Sequence, residues 1–348
     1  LNSIRAALIG FGYAGRTFHA PLIAHSKGLQ LAAIQSSRAA EASAMWPEAR
    51  LYTAPEALLE AADIDLVVIA TPNDTHFPLA RQALLAGKHV VVDKPFTTTL
   101  GEAHELGELA QQQGALLSVF HNRRWDADFL TLQALLAQGT LGRIVHFESH
   151  FDRYRPVVRQ RWREAPGAGT GLWFDLGPHL VDQALQLFGL PQSVSADLAI
   201  QRDGALVDDY FHVQLRYADK RVILHGSTLM SGGTPRFTVH GALGSYTKSG
   251  LDTQEDTLKS GLLPGTENWG IDPLPGTLYT QTGECTNATP VANLPGDYRR
   301  YYEAITTAIS TGSGNPVPAD EAIAVMAIIG LAQESHTQGR VLEVFPVR

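Results

Sequence analysis

Short apolar runs alternate with amphipathic stretches through the first third of the chain. Residues 5–9 read as a strand, a glycine turn follows, and a helix is expected from about Tyr13 into the residues before Lys27. Residues 29–34 supply a second strand. Helical stretches near 39–46 and 55–61 then lead to residues 65–70, a continuous apolar run of the kind buried on both faces. Residues 77–86 have helical spacing and stop at Gly87, 89–93 form another strand, 100–112 a helix ended by Gly114, and 116–120 a strand. This alternation predicts an α/β fold whose N-terminal domain, residues 1–121, is a doubly wound parallel sheet.

Beyond His121 the pattern changes. A long helix over 125–137 precedes strand-like segments at 144–151, 194–201, 209–217, 220–227 and 236–240, with a hairpin at 217–221. Helices are expected at 180–188, 298–310 and 320–334, covering one face of a mostly antiparallel sheet. Residues 122–348 therefore read as an α+β substrate-binding and oligomerisation domain. An apolar outer face on that sheet would call for a homodimer or homotetramer to bury it. Residues 250–295, rich in Gly, Pro, Thr and Asp with little periodicity, read as a functional or interface loop or as short strands that the pattern does not resolve, and are assigned no chemistry.

At 348 residues the chain is long enough for two cores. Cys285 is the only cysteine, which fits a reducing, cytoplasmic setting and excludes an internal disulfide. A net charge of −8 and a pI near 5.9 argue against nucleic acid as a partner. The opening residues lack the apolar core of a signal peptide, and trimming of an initiator Met is expected. Apolar runs at 66–70 and 322–331 are far shorter than the roughly 20 residues of a membrane span.

Gly10-Phe11-Gly12-Tyr13-Ala14-Gly15 fits G-x-G-x-x-G directly after a strand and at the start of a helix. There the first glycine permits a tight turn, the second lets amides approach a pyrophosphate, and the third lets helix and strand pack closely. This is the dinucleotide-binding edge of a Rossmann domain. Some twenty residues on, where a carboxylate would bind the ribose of NAD, stand Gln35, Ser36, Ser37 and Arg38. Two hydroxyls and a guanidinium favour NADP, with NAD also possible. Thr71, Pro72, Asn73 and His76 follow a strand at the same edge and are candidate cofactor contacts. Asn73 or Asp74 could equally serve only as a helix cap.

Asp93-Lys94-Pro95 ends the next strand, so Lys94 can reach a substrate hydroxyl, although Lys-Pro alone is an ordinary turn. Asp175 and His179 are four apart and share a face if a helix begins near them. An imidazole can take the proton of a carbinol as it is oxidised, and a nearby carboxylate can orient it. The competing reading makes Asp175 a helix cap and His179 a packed residue. Five arginines crowd residues 153–163 beside Tyr154 and Trp162; such clusters usually pair with surface carboxylates, and only one or two are expected in the site. His150, His212, His225 and His240 lie in expected strands without metal-like spacing, so they read as core or sheet-face residues and no metal is expected.

GFGYAG, TPNDTH, DKP, Asp175-x-x-x-His179 and Asp182 resemble the glucose-fructose oxidoreductase/inositol dehydrogenase (Gfo/Idh/MocA) family over essentially the whole chain. FHAPL, VVDKPF, SVFHNRRWD and ESHFDRYRP look closest to its bacterial NADP-dependent scyllo-inositol dehydrogenases. The resemblance implies that Lys94, Asp175 and His179 are catalytic and also bind substrate. It implies Asn122, Arg123, Trp162 and Arg163 as site-lining residues, with Asp93, Lys94, Asn122, Trp162 and Arg163 toward the cofactor and Arg123 and Tyr154 toward a polyol or sugar. Two departures stand out: Asp93 replaces the usual Glu, and Gly167-Ala168-Gly169-Thr170-Gly171 replaces a triple glycine. Two other functions occur on this fold: glycoside hydrolysis through transient oxidation on bound NAD, and non-catalytic dinucleotide sensing. The NADP-like strand end weighs against the first and the retained Lys94, Asp175 and His179 against the second.

Overall fold

The computed structural model describes residues 3–345. The chain forms two compact units. The first holds residues up to Trp125 together with 254–269 and 297–323, and the second holds 126–253, 270–296 and the residues from 324 onward.

The first unit is built on six parallel strands: β1 (Ile4–Ile9), β2 (Leu29–Gln35), β3 (Arg50–Tyr52), β4 (Leu66–Ile69), β5 (His89–Val92) and β6 (Leu117–Val119). Their order is β3-β2-β1-β4-β5-β6. The order reverses between β1 and β4, and the crevice at that point, beyond the carboxyl ends of the strands, is where such sheets bind ligands. Ala7, Leu8, Val67, Val68, Val90 and Val91 are wholly buried, which is why β4 reads as an unbroken apolar run and β1 and β5 carry polar residues only toward their starts. The expected helix after the glycine turn forms, but its middle is a π-helical segment, Gly15–His19, before α-helix Ala20–Ala24. Helix Leu100–Gln113 opens with a Thr99/Glu102 capping box and closes at Gly114, which has φ 62°.

The second unit is built on nine strands: β7 (Ile144–Asp152), β8 (Ser193–Ala199), β9 (Tyr210–Arg216), β10 (Arg221–Ser227), β11 (Phe237–Gly241), β12 (Gly244–Lys248), β13 (Gly276–Thr282), β14 (Cys285–Val291) and β15 (Leu342–Glu343). The order is β14-β13-β12-β11-β7-β10-β9-β8-β15, antiparallel except for the β7–β10 pair. The stretch given no elements from its pattern contributes β13, β14 and a short helix, Gln254–Lys259.

One face of this sheet carries buried Phe147, Phe151, Phe211, Leu215, Val222 and Leu224. Helix Leu172–Phe188 supplies Trp173, Leu176, Leu180, Val181 and Ala184 as buried apolar partners. The helix starts well before the expected residue 180. Gly177-Pro178 reads as a breaker, yet Gly177 lies under the Trp173 ring, where a Cβ would come within 2.5 Å, and burial of Trp173 and Leu176 outweighs the proline.

The opposite face corrects the premise of an apolar surface. Alternation places His146, Glu148, His150, Gln214, His212, Thr238 and His240 on it, so an assembly formed through it would bury polar groups. Among the described residues no helix is long and apolar enough to cross a membrane.

Candidate active site

In the first unit, parallel pairing delivers the ends of β1, β2, β4, β5 and β6 to one edge. Gly10 has φ 98°, and a Cβ there would stand 2.6 Å from the Ala70 carbonyl oxygen. Its N–H donates to Gln35 O at 3.0 Å, tying the β1 turn to the end of β2. A Cβ on Gly15 would lie 2.0 Å from Gly10 O, so only glycine lets helix and strand approach. Gly12 is different: nothing among the described residues lies within 4 Å of its Cβ position, which leaves its backbone open to a ligand. These three environments fit a bound pyrophosphate. Phe11 is buried, so only its backbone can serve the nucleotide, while Tyr13 is exposed and Ala14 half-buried.

The Tyr13 hydroxyl donates to Glu255 Oε1 at 2.6 Å. Glu255 also accepts from Arg123 at 3.0 Å and pairs with Lys259 at 3.0 Å. Burial would raise this carboxyl, but the Arg123 charge and the hydrogen bonds from Tyr13 and Lys259 hold it at about 2. Burial, then the bond to Glu255, pushes the Tyr13 phenol up to about 12. Glu255 thus fastens the glycine-rich loop through a distant helix. It lies in the segment given no chemistry, and no local pattern points to it. Arg123, expected to meet substrate, has its charge balanced by this carboxylate.

Beyond β2, Ser36 is buried and its Oγ accepts the Arg38 N–H at 2.9 Å, whereas Ser37 is exposed. The Arg38 side chain is 56% exposed and stands 3.8 Å from Glu41. Arg16, not anticipated, pairs with the same carboxylate at 2.6 Å. Two guanidiniums therefore converge on Glu41, just beyond the serines in the chain.

The β4 and β5 loops are braced together. His76 is fully buried, with Nδ1 2.8 Å from Pro95 O and Nε2 3.0 Å from Thr71 O. Both nitrogens face carbonyls, so His76 acts as a brace between the loops. Thr75 Oγ1 adds a 2.6 Å bond to Thr71 Oγ1; Asn73 is buried and Pro72 exposed. Asp93 Oδ1 accepts the Lys94 N–H at 2.9 Å and stands 3.7 Å from His19 Nε2, while His19 Nδ1 is 2.6 Å from the Tyr302 hydroxyl. Burial opposes ionisation of Asp93, but His19, Lys94 and His76 hold its carboxyl at about 2. The shorter acid is thus supported by a buried histidine. Lys94 is half-buried, and Asn122 is buried in the turn Asn122–Trp125 after β6.

In the second unit, Asp175 and His179 occupy the first two turns of helix Leu172–Phe188, one turn apart as expected. The residue capping that helix is Gly171, not Asp175. Gly171 has φ 93°, and a Cβ there would strike Asp208 at 2.0 Å. Asp208 Oδ2 accepts the Trp173 N–H at 2.6 Å, and the Asp208 carbonyl accepts that of Leu172 at 2.8 Å. Burial pushes the Asp208 carboxyl up to about 6 despite these donors. Sequence patterning missed this support too.

Arg163 Nε is 3.4 Å from Asp175 Oδ1, and its guanidinium lies 4.4 Å from the Trp162 ring centre. His179 is 6% exposed and packs 6.3 Å from the Phe151 ring. Of the other arginines, Arg161 pairs with Glu164 at 2.7 Å, and Arg202 joins the same carboxylate at 3.1 Å. Tyr154 is 61% exposed beyond β7. Asp175, His179, Arg163 and Trp162 are thus gathered in this unit; Lys94 is held in the other.

Residues 4–121 match the oxidoreductase family described as an NAD-binding Rossmann fold, and residues 133–344 match its C-terminal alpha/beta domain. The chain is 54% identical over 334 residues to the uncharacterized oxidoreductase YdgJ of Escherichia coli, covering 96% of each. It is 38% identical over 345 residues to scyllo-inositol 2-dehydrogenase (NADP(+)) IolW of Bacillus subtilis, covering 98% of this chain and 96% of IolW. The solved structure of YPO2259 from Yersinia pestis superposes with a TM-score of 0.96 at 51% identity, covering 100% of this chain and 99% of that one. With the Rossmann edge, the second α/β domain and these full-length likenesses together, the chain belongs to the Gfo/Idh/MocA family of oxidoreductases.

Proposed function

We propose that this oxidoreductase is an NADP-dependent dehydrogenase acting on a CH–OH group of a cyclic polyol, with scyllo-inositol the first candidate and related sugars next. The observation that carries the reaction type is the presentation of Asp175 and His179 from successive turns of one helix, with Arg163 on Asp175. Likeness to IolW supports the substrate, and Ser36, Ser37 and Arg38 without a carboxylate among them support NADP.

Bound nicotinamide would supply the hydride acceptor. His179 accepts the hydroxyl proton, Lys94 donates a hydrogen bond to the reacting oxygen, and Asp175 orients His179 or the substrate. The amides of residues 11–15 would hold the pyrophosphate, and Ser36, Ser37 and Arg38 the 2′-phosphate. Thr71, Pro72, Asn73, Asn122, Trp162 and Arg163 would complete the nucleotide's surroundings, His76 and Asp93 brace the loops, and Arg123 and Tyr154 would serve the polyol. A cytoplasmic location is part of this reading, and a homodimer or homotetramer through the second sheet would pair its polar faces.

The test is initial-rate NADPH formation across inositols and aldoses, in parallel with NAD and with Lys94→Ala and His179→Ala. Turnover on one cyclic polyol with NADP, lost in both variants, is expected. Reduction of neither nucleotide across the panel, despite NADP binding, would overturn it.

A further inference from the structure

The polar face of the second sheet gathers three ligand groups at one point. His150 and Asp152 lie two apart on β7 and so share a face, and parallel pairing sets His225 of β10 beside His150. One ligand atom from each residue lies within 4.8 Å of the others. Asp152 is central: Oδ2 is 3.2 Å from His150 Nδ1, and Oδ1 is 3.4 Å from His225 Nε2. Ligand atoms around a tetrahedral zinc ion, with bonds near 2.0–2.2 Å, stand about 3.4 Å apart. Nothing in the linear spacing shows this, because strand pairing creates it.

The groups around the cluster leave a positive charge wanting. His150 Nε2 is 2.9 Å from Glu148 Oε2, and the other Glu148 oxygen is 2.7 Å from His146 Nε2. When Nε2–H donates to Glu148, the Nδ1 lone pair of His150 faces the Asp152 carboxylate, an arrangement that needs a proton or a metal ion between them. His225 is 6% exposed, and among the described residues neither of its ring nitrogens has a hydrogen-bond partner; nor does Asp152 Oδ1. Buried imidazoles rarely go unsatisfied in this way. Thr234 Oγ1 donates to Asp152 Oδ2 and steadies the carboxylate. A cavity of about 360 Å³, whose lining includes His150, Asp152, Thr234 and Arg236, opens onto the His150 and Asp152 side of the cluster and leaves room for water ligands.

We propose that His150, Asp152 and His225 form a site for a divalent transition metal of the zinc type, completed by water. Glu148 is the outer carboxylate that orients His150. Two imidazoles and one carboxylate select zinc, cobalt, nickel or copper over magnesium or calcium. None of the three ligands has a part in the proposed hydride transfer, so the site stands or falls independently of that reading.

The experiment uses the untagged full-length protein, stripped with a chelator and rebuffered. Zn²⁺ is titrated by calorimetry and Co²⁺ by visible absorption, alongside His225→Gln, Asp152→Asn and the exposed same-face control His240→Ala. Far-UV circular dichroism checks folding. One zinc per chain is expected, with affinity weakened at least about tenfold in His225→Gln and Asp152→Asn and unchanged in His240→Ala. Cobalt should give low-coordination absorption bands that disappear in the same two variants, and excess Mg²⁺ should not compete. No zinc binding, or equal binding in folded His225→Gln and Asp152→Asn, overturns the site.

Discussion

The two units present their candidate chemistry by different physical means. At the edge of the parallel sheet, backbone does most of the work: glycines without side chains leave amides open, and the supporting groups come from remote segments. In the antiparallel unit the chemistry is carried by side chains on successive turns of one helix, held at its start by Asp208. The glycine edge is therefore vulnerable to an atom added at Gly10 or Gly15, while the helix is vulnerable at particular functional groups.

The sharpest way to break this contrast is His179→Ala, expected to lower turnover by about 10²–10⁴-fold while NADP affinity, followed by fluorescence titration, stays near that of the parent. Loss of nucleotide binding in that variant would erase the distinction. Next is Glu255→Gln. The carboxyl sits at about 2 in the folded chain against an ordinary 4.5, so its ionisation contributes about 3 kcal/mol above pH 4.5. That contribution is lost as the pH falls through 4.5 toward 2. Denaturant unfolding at pH 7 and pH 3 should show the parent losing more stability on acidification than Glu255→Gln, and the variant should bind NADP more weakly.

Gly10→Ala follows, with a cost of about 1–3 kcal/mol from its positive φ and the clash with Ala70, together with loss of nucleotide binding. Wild-type affinity in that variant would mean the loop yields easily. Arg38→Ala sharpens the cofactor reading: KM for NADP should rise about tenfold, roughly 1.4 kcal/mol, with KM for NAD little changed. The smallest effect is expected at Asp208→Ala, where loss of the Trp173 hydrogen bond at the helix start should lower stability by about 1 kcal/mol in thermal melts at neutral pH.

Legibility followed the range of the interactions. Gly10, Gly12 and Gly15 announced themselves because their work is local: a turn, an open backbone and a close helix contact lie within six residues. Asp175 and His179 were readable as a four-residue spacing, but not the helix start, since Gly177-Pro178 mimics a break that only packing beneath Trp173 overrides. Glu255, Arg16 and Asp208 were invisible because each acts on residues far along the chain through side-chain geometry.

By itself the sequence determined the strand–helix alternation, the glycine fingerprint and the two-part architecture, since backbone conformation and burial periodicity are set by near neighbours. Tertiary structure decided which carboxylate anchors the nucleotide loop, that His76 and His19 brace the loops around Lys94, and that the outer sheet face is polar. It also decided that His225 meets His150 and Asp152, because cross-strand register and long-range side-chain contacts exist only once the sheets have formed.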